Sequence, residues 1–211
     1  MGDLRIKTCV LGMVSTNCYI VYRDGEAVVI DPADNGAYLA NRCRELGVIP
    51  VAVLLTHGHF DHIMAVEELR NGFSHIPVYA AEGEKTLLGD TSLNLSTSFG
   101  HGFTTHADHL LKDGEMLTLL GKIWRVVTTP GHTAGSVCYL IDEEDVLFSG
   151  DTLFAESLGR TDFPTGSSSQ IIASITEKLF PLRDDIMVYP GHGEPTTIGH
   201  EKQYNPAAAY R

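Results

Sequence analysis

Three histidines and an aspartate fall within six residues at His57-Gly58-His59-Phe60-Asp61-His62. Imidazole nitrogens and carboxylate oxygens are ordinary ligands of divalent transition metals. His57 and His59, with Gly58 between them permitting a tight bend, can aim both rings at one ion. Asp61 and His62 lie further round the turn and can face a neighbouring ion. Two such ions about 3.5–4 Å apart share a water and lower its pKa towards neutrality, which supplies a hydrolytic nucleophile without Ser or Cys. The chain contains no G-x-S-x-G elbow that would supply a serine instead.

These residues need a rigid support, and the sequence places one beside each candidate. The His57–His62 segment follows the apolar run Val51–Leu55 and leads into a helix expected at Ile63–Arg70. His132 in Pro130-Gly-His follows a strand expected at Ile123–Thr128. Asp151 in Ser149-Gly-Asp-Thr follows Val146–Phe148, and His192 in Pro190-Gly-His follows Ile186–Tyr189. Each is a strand-end loop with glycine next to the candidate, where backbone approaches without a Cβ in the way. Convergence of these loops on one edge is the expectation.

Further strands are expected at Leu4–Val10, Cys18–Tyr22, Ala27–Ile30, Pro77–Ala80 and Ser136–Ile141. Helices are expected at Asn35–Leu46, stopped by Gly47, and at Ala81–Leu88, Ser168–Leu179 and Ile198–Tyr204. Residues 90–113 show no clear period and carry His101, His106 and His109. A loop of this length commonly forms a lid or substrate wall, and its histidines read equally well as solvated. Strands alternate with helices early and cluster in the middle, which favours a layered sandwich in one domain, residues 1–211.

Composition narrows the partners. The chain has 211 residues, is 43% hydrophobic and carries a formal net charge of -12. No basic stripe is present, so nucleic acid and anionic membrane surfaces are not expected partners. There is no apolar run long enough for a membrane helix and no apolar signal segment at the N-terminus, which reads as a first strand of a cytoplasmic protein. Cys9, Cys18, Cys43 and Cys138 lack C-x-x-C spacing and read as buried reduced thiols. His75 and His200 fall outside every motif and read as surface residues.

The segments Thr56-His-Gly-His-Phe-Asp-His62, Pro130-Gly-His-Thr-Ala-Gly-Ser136, Ser149-Gly-Asp-Thr152 and Pro190-Gly-His192 together resemble the metallo-β-lactamase superfamily, in its order and across nearly the whole chain. The resemblance implies an αββα sandwich, two mixed sheets flanked by helices, with the site at their edge. It implies that His57, His59 and His132 hold one metal, that Asp61, His62 and His192 hold a second, and that Asp151 bridges them. The metals would be zinc, with iron or manganese as alternatives. Asp61 can also handle protons while it ligates. Asp31 in Ile30-Asp-Pro resembles the family's acidic residue near the site, where it would accept a hydrogen bond from a ligand imidazole; a turn role before Pro32 is the other reading.

Within the superfamily, Ser149-Gly-Asp-Thr-Leu-Phe-Ala-Glu-Ser-Leu-Gly-Arg160-Thr-Asp-Phe-Pro164 resembles the glyoxalase II group, the hydroxyacylglutathione hydrolases, in its short bacterial members. That resemblance implies hydrolysis of a small acyl thioester such as S-lactoylglutathione, with Arg160 binding a carboxylate of the thiol carrier. Pairing of Arg160 with Asp162 is the alternative. Two departures stand out: Gly193-Glu194-Pro195 lacks the tyrosine that contacts glutathione in longer members, and the sequence reaches Arg211 without their helical C-terminal domain. The alternative function is a persulfide dioxygenase with one iron, which shares Gly-Arg-Thr-Asp-Phe and needs only two histidines and a carboxylate.

Overall fold

The structure is a computed structural model that describes residues 2–73 and 76–210; His75 lies outside them. The strand Thr16–Arg23 (β2) sets the layering, because its first six residues are all buried. Successive side chains of a strand point to opposite faces. Cys18 and Ile20 therefore enter one core while Tyr19 and Val21 enter another. Val29 and Val53 join the first core, and Val28 and Leu54 the second.

The first sheet runs in the order β1 (Arg5–Leu11), β2, β3 (Glu26–Ile30), β4 (Ile49–Leu54), β5 (Val78–Ala81) and β6 (His109–Leu111). The second runs β14 (Thr196–Thr197), β13 (Met187–Pro190), β10 (Val146–Gly150), β9 (Val137–Ile141), β8 (Lys122–Thr128) and β7 (Met116–Leu119). Both are mixed. β3, β4, β5 and β6 are parallel to one another, as are β10 and β13, and the remaining neighbours are antiparallel. A small hairpin of β11 (Leu153–Phe154) and β12 (Ser157–Leu158) projects beyond β10.

Three apolar layers make the sandwich. Helices α1 (Gly36–Glu45), α2 (Phe60–Ile63) and α3 (Val66–Gly72) cover the outer face of the first sheet through Leu39, Cys43, Ile63 and Leu69. Tyr139, Trp124 and Phe148 fill the space between the sheets. Their polar tips are satisfied, since Tyr139 Oη donates to Leu55 O and Trp124 Nε1 to Leu119 O. After α4 (Lys85–Leu88), the outer face of the second sheet is covered by α5 (Ser168–Ala173), its π-type continuation to Leu179, and α6 (Ile198–Tyr204), through Ile171, Ile175, Leu179 and Ile198. Each fully buried aliphatic side chain contributes about 1.5–3 kcal/mol of transfer free energy. The αββα sandwich expected from the sequence is present.

The differences from expectation have local causes. The Ile63–Arg70 helix starts earlier, at Phe60, and breaks after Ile63, where Ala65 N donates to Pro32 O. The expected Ala81–Leu88 helix is a 3-10 turn, Glu82–Glu84, followed by the single turn of α4. β6 lies inside the segment expected to be irregular, because three residues on a parallel edge leave no readable period. β7 went unread because its hairpin turn is Leu120-Gly121, with φ 54° and 67°, instead of an Asn-Gly signal. All four cysteines are free and buried, as the sequence suggested. Among the described residues no helix is long and apolar enough to cross a membrane.

Candidate metal centre

Five strands deliver the site from their C-terminal ends: β3 leads to Asp31, β4 to His57–His62, β8 to His132, β10 to Asp151 and β13 to His192. All seven candidate ligands meet there. Ligand atoms of His57, His59 and His132 form one group, those of His57, His62 and Asp151 a second, and those of Asp61, His62 and His192 a third. His59 Nδ1 lies 2.9 Å from His132 Nε2. His192 Nε2 lies 3.3 Å from Asp61 Oδ2 and 3.4 Å from Asp151 Oδ2. His62 Nε2 is 3.4 Å from both Asp61 Oδ2 and Asp151 Oδ1. Asp151 therefore faces both halves of the cluster, with His132 Nε2 3.6 Å from its Oδ2.

Glycine permits the close approach. A Cβ on Gly191 would overlap Asp151 Oδ1 and stand 2.8 Å from His62 Cε1. Gly131 has a φ of 143°, and a Cβ there would overlap the backbone of Ile171.

Neighbouring groups set which ring nitrogen faces inward. Asp31 is buried and accepts from Thr56 N at 2.8 Å, Thr56 Oγ1 at 2.6 Å and His62 Nδ1 at 2.9 Å. A carboxylate there has His62 carry a proton on Nδ1 and turns Nε2 toward the cluster. Thr56 Oγ1, already donating to Asp31, accepts from His57 Nδ1 at 3.1 Å, which exposes His57 Nε2 in the same way. Arg160 O accepts from His132 Nδ1 at 2.8 Å. The contact with His62 agrees with the first sequence reading of Asp31, whose backbone has a φ of 48°. On the other side, Thr16 Oγ1 donates to Asp61 Oδ2 at 2.7 Å, and Asn17 Nδ2 and Tyr19 Oη donate to Pro190 O, fixing the His192 loop.

The electrostatics disfavour charge on the rings of His57 and His59 and favour the ionised form of both carboxylates. Burial, then His132, pushes His59 down to about 3, and burial, then His62, pushes His57 well down. Burial opposes the charge of Asp151, yet His62 and His192 outweigh it and hold the carboxyl at about 2. Asp61 is likewise held low by His62 and His192 against its burial. Burial also disfavours a charged His192, but Asp151 and Asp61 raise it to about 9. Among the described residues, five buried side-chain polar atoms lack a partner, and four of them are here: Nε2 of His57, His59 and His62, and Asp151 Oδ1. Such an atom costs about 1–3 kcal/mol when left unpaired. Imidazole lone pairs and carboxylates turned on one small volume are the donor set of divalent transition metals, so the residues fit the metals that the fold family implies.

One buried carboxylate carried no sequence signal. Glu84 Oε2 accepts from Gly58 N at 2.7 Å, while its Oε1 accepts from Thr133 Oγ1 at 2.7 Å and Gly135 N at 2.9 Å. It thus clamps the loop of His57 and His59 to the loop of His132. The other histidines lie elsewhere: His101 is exposed, His106 contacts Arg70, His109 stacks on Tyr79 and His200 bonds Glu156.

A cavity of about 370 Å³ opens over the cluster. Leu95 and Phe99 contribute to its wall, so part of the 90–113 segment borders the site. Arg160 stands at its edge, where Nε and Nη2 each donate to Asp162 at 2.7 Å and the guanidinium lies 3.8 Å from the centre of the Phe163 ring.

The sequence profile of the metallo-beta-lactamase superfamily matches residues 11–192, and the chain belongs to that superfamily. Its class is that of the superfamily's metal-dependent hydrolases. Hydroxyacylglutathione hydrolase GloC of Haemophilus influenzae is 37% identical over 197 residues, covering 90% of this chain and 91% of its own. The crystal structure of BLEG-1 B3 metallo-beta-lactamase superposes with a TM-score of 0.91 at 44% identity, covering 96% of this chain and 98% of that one. TTHA1623 in a di-iron-bound form gives 0.84 at 33% identity, with 95% and 98% covered.

Proposed function

We propose that the protein hydrolyses a small acyl thioester at a dinuclear centre, with His57, His59 and His132 holding one divalent transition metal and Asp61, His62 and His192 the other. Asp151 is the shared ligand. The observation that carries this reading is the seven-donor cluster, in which His57 Nε2, His62 Nε2 and Asp151 Oδ1 are buried and unpartnered, beneath a cavity that five of the seven residues line. Zinc, iron or manganese suits the donor set, and the di-iron form of TTHA1623 shows one such pair in a relative. When bound, the metals lower the pKa of a water and polarise the substrate carbonyl.

The protein's own groups orient these partners. Asp31, Thr56 and Arg160 O fix the rings of His62, His57 and His132. Asp61 borders the cavity, where Thr16 Oγ1 donates to its Oδ2 and holds that oxygen toward His62 and His192. No thiol competes as nucleophile, since burial pushes Cys43 and Cys138 up to about 11 and raises Cys9 and Cys18. A thiolate leaving group has a pKa of about 8.5 and departs without an obligatory acid. The net charge of -12 supports a small-molecule substrate over nucleic acid.

The relation to GloC makes S-lactoylglutathione the first substrate to test. Thiol release should proceed equally well with and without oxygen, and should require metal. Iron-dependent oxygen uptake with glutathione persulfide, in place of anaerobic thiol release, would replace hydrolysis with a mononuclear dioxygenase reaction. That alternative leaves Asp61, His62 and His192 gathered without a cation. Arg160 can reach a carrier carboxylate only by exchanging Asp162 for it. Arg160→Ala should raise KM for a glutathione thioester by up to about fivefold, the scale of an exposed charge pair, with kcat little changed. An unchanged KM would leave Arg160 with its Asp162 and Phe163 contacts alone.

A further inference from the structure

Resting on the thioesterase reading, we propose that the acyl group this site is built to take is apolar, an aliphatic chain or an aryl group, in preference to a hydroxyacyl group. The cavity over the cluster has two kinds of lining. Its floor is His59, Asp61, His132, Asp151 and His192, and its walls are carbon: Phe60, Leu95, Phe99, Phe154, Leu158 and Phe163 among them. Phe60 and Phe99 stack at 4.6 Å with their planes 13° apart, forming one face. The ring centres of Phe163 and His59 lie 5.7 Å apart and those of Phe154 and His192 6.1 Å apart, so aromatic rings flank both halves of the cluster.

The wall is held in place. Leu95 has a φ of 68°, a left-handed conformation that a branched side chain adopts only when its surroundings impose it. Buried Asn94 imposes it: its side chain donates to Phe103 O and accepts from Ser96 N, and its carbonyl accepts from Phe60 N. The loop backbone thereby fixes Leu95 and Phe60 relative to each other. Phe99 is nevertheless 42% exposed and Val14, which also lines the cavity, 40%. Apolar surface left open beside reactive groups is what a bound apolar group would cover.

Polar recognition is scarce on these walls. Apart from the floor, the cavity's polar side chains are Ser157, which is exposed, and Arg160, whose guanidinium already engages Asp162 and Phe163. A buried hydroxyl needs a partner to offset its desolvation, whereas a methylene gains by leaving water. The site therefore divides into an apolar acyl chamber and a charged edge at Arg160 for the thiol carrier.

The test is kcat/KM with the metal-loaded protein for glutathione thioesters carrying acetyl, butyryl, hexanoyl, phenylacetyl and lactoyl groups. The expected series rises by roughly fourfold per methylene from acetyl to hexanoyl, with phenylacetyl high and lactoyl below butyryl. Phe99→Ala and Leu158→Ala should each flatten the slope of that series. A flat or falling series, with lactoyl the best substrate, overturns the apolar-acyl inference and leaves thioester hydrolysis standing. Absence of turnover with every member overturns both.

Discussion

Asp151→Ala should lower kcat by more than roughly 10²–10³-fold, the scale of losing a single electrostatic stabiliser, because this carboxylate serves both halves of the site. Its oxygens lie 3.4 Å from His62 and His192 and 3.6 Å from His132. Alanine removes the shared ligand and leaves those imidazoles without their common counter-charge. Metal content should fall in parallel, below two per chain, while far-ultraviolet circular dichroism stays unchanged. His101→Ala, in an exposed residue outside the ligand groups, provides the control and should be neutral. Equal activity in the two variants would dissolve the ligand assignment.

Glu84→Ala should be the most damaging change outside the ligands. It strips partners from Gly58 N, Gly135 N and Thr133 Oγ1 in a place closed to water. Thr133 Oγ1 keeps Ser136 Oγ at 2.7 Å, so two buried N–H groups are orphaned at about 1–3 kcal/mol each, and the protein should lose about 2 kcal/mol or more. At about 2–4 °C per kcal/mol for a chain of this size, the melting temperature should drop by at least about 4 °C. Glu84→Gln retains the volume but places an amide N–H₂ against a donor, and should fall between alanine and the native protein. Calorimetric unfolding checks this; a shift under about 1 °C for the alanine variant would mean that the two loops do not depend on the clamp.

The candidate ligands were legible because each sits in a short motif beside a strand end, where residue type and glycine spacing are local signals. Their meeting at one edge followed from the two sheets: β3 and β4 of the first and β8, β10 and β13 of the second all deliver their loops from C-terminal ends. Asp31 was half legible, its acid type visible and its contact with His62 not. Glu84 was silent, since within the helix expected at Ala81–Leu88 it reads as an ordinary charged residue and its partners lie 26, 49 and 51 residues away. Leu95 and Phe99 were hidden for a related reason. An irregular segment has no period to show which face is apolar, and only the fold says that two of its side chains border the site.

Elemental analysis of protein purified without chelator and supplemented with zinc, iron or manganese tests most directly whether the cluster holds two metals. Seven ligands stand where one ion needs about three or four. The stoichiometry should approach two transition-metal equivalents per chain and should drop when Asp151 is replaced. A value that stays at one after supplementation would contradict the dinuclear centre, and with it the hydrolytic chemistry assigned to this site.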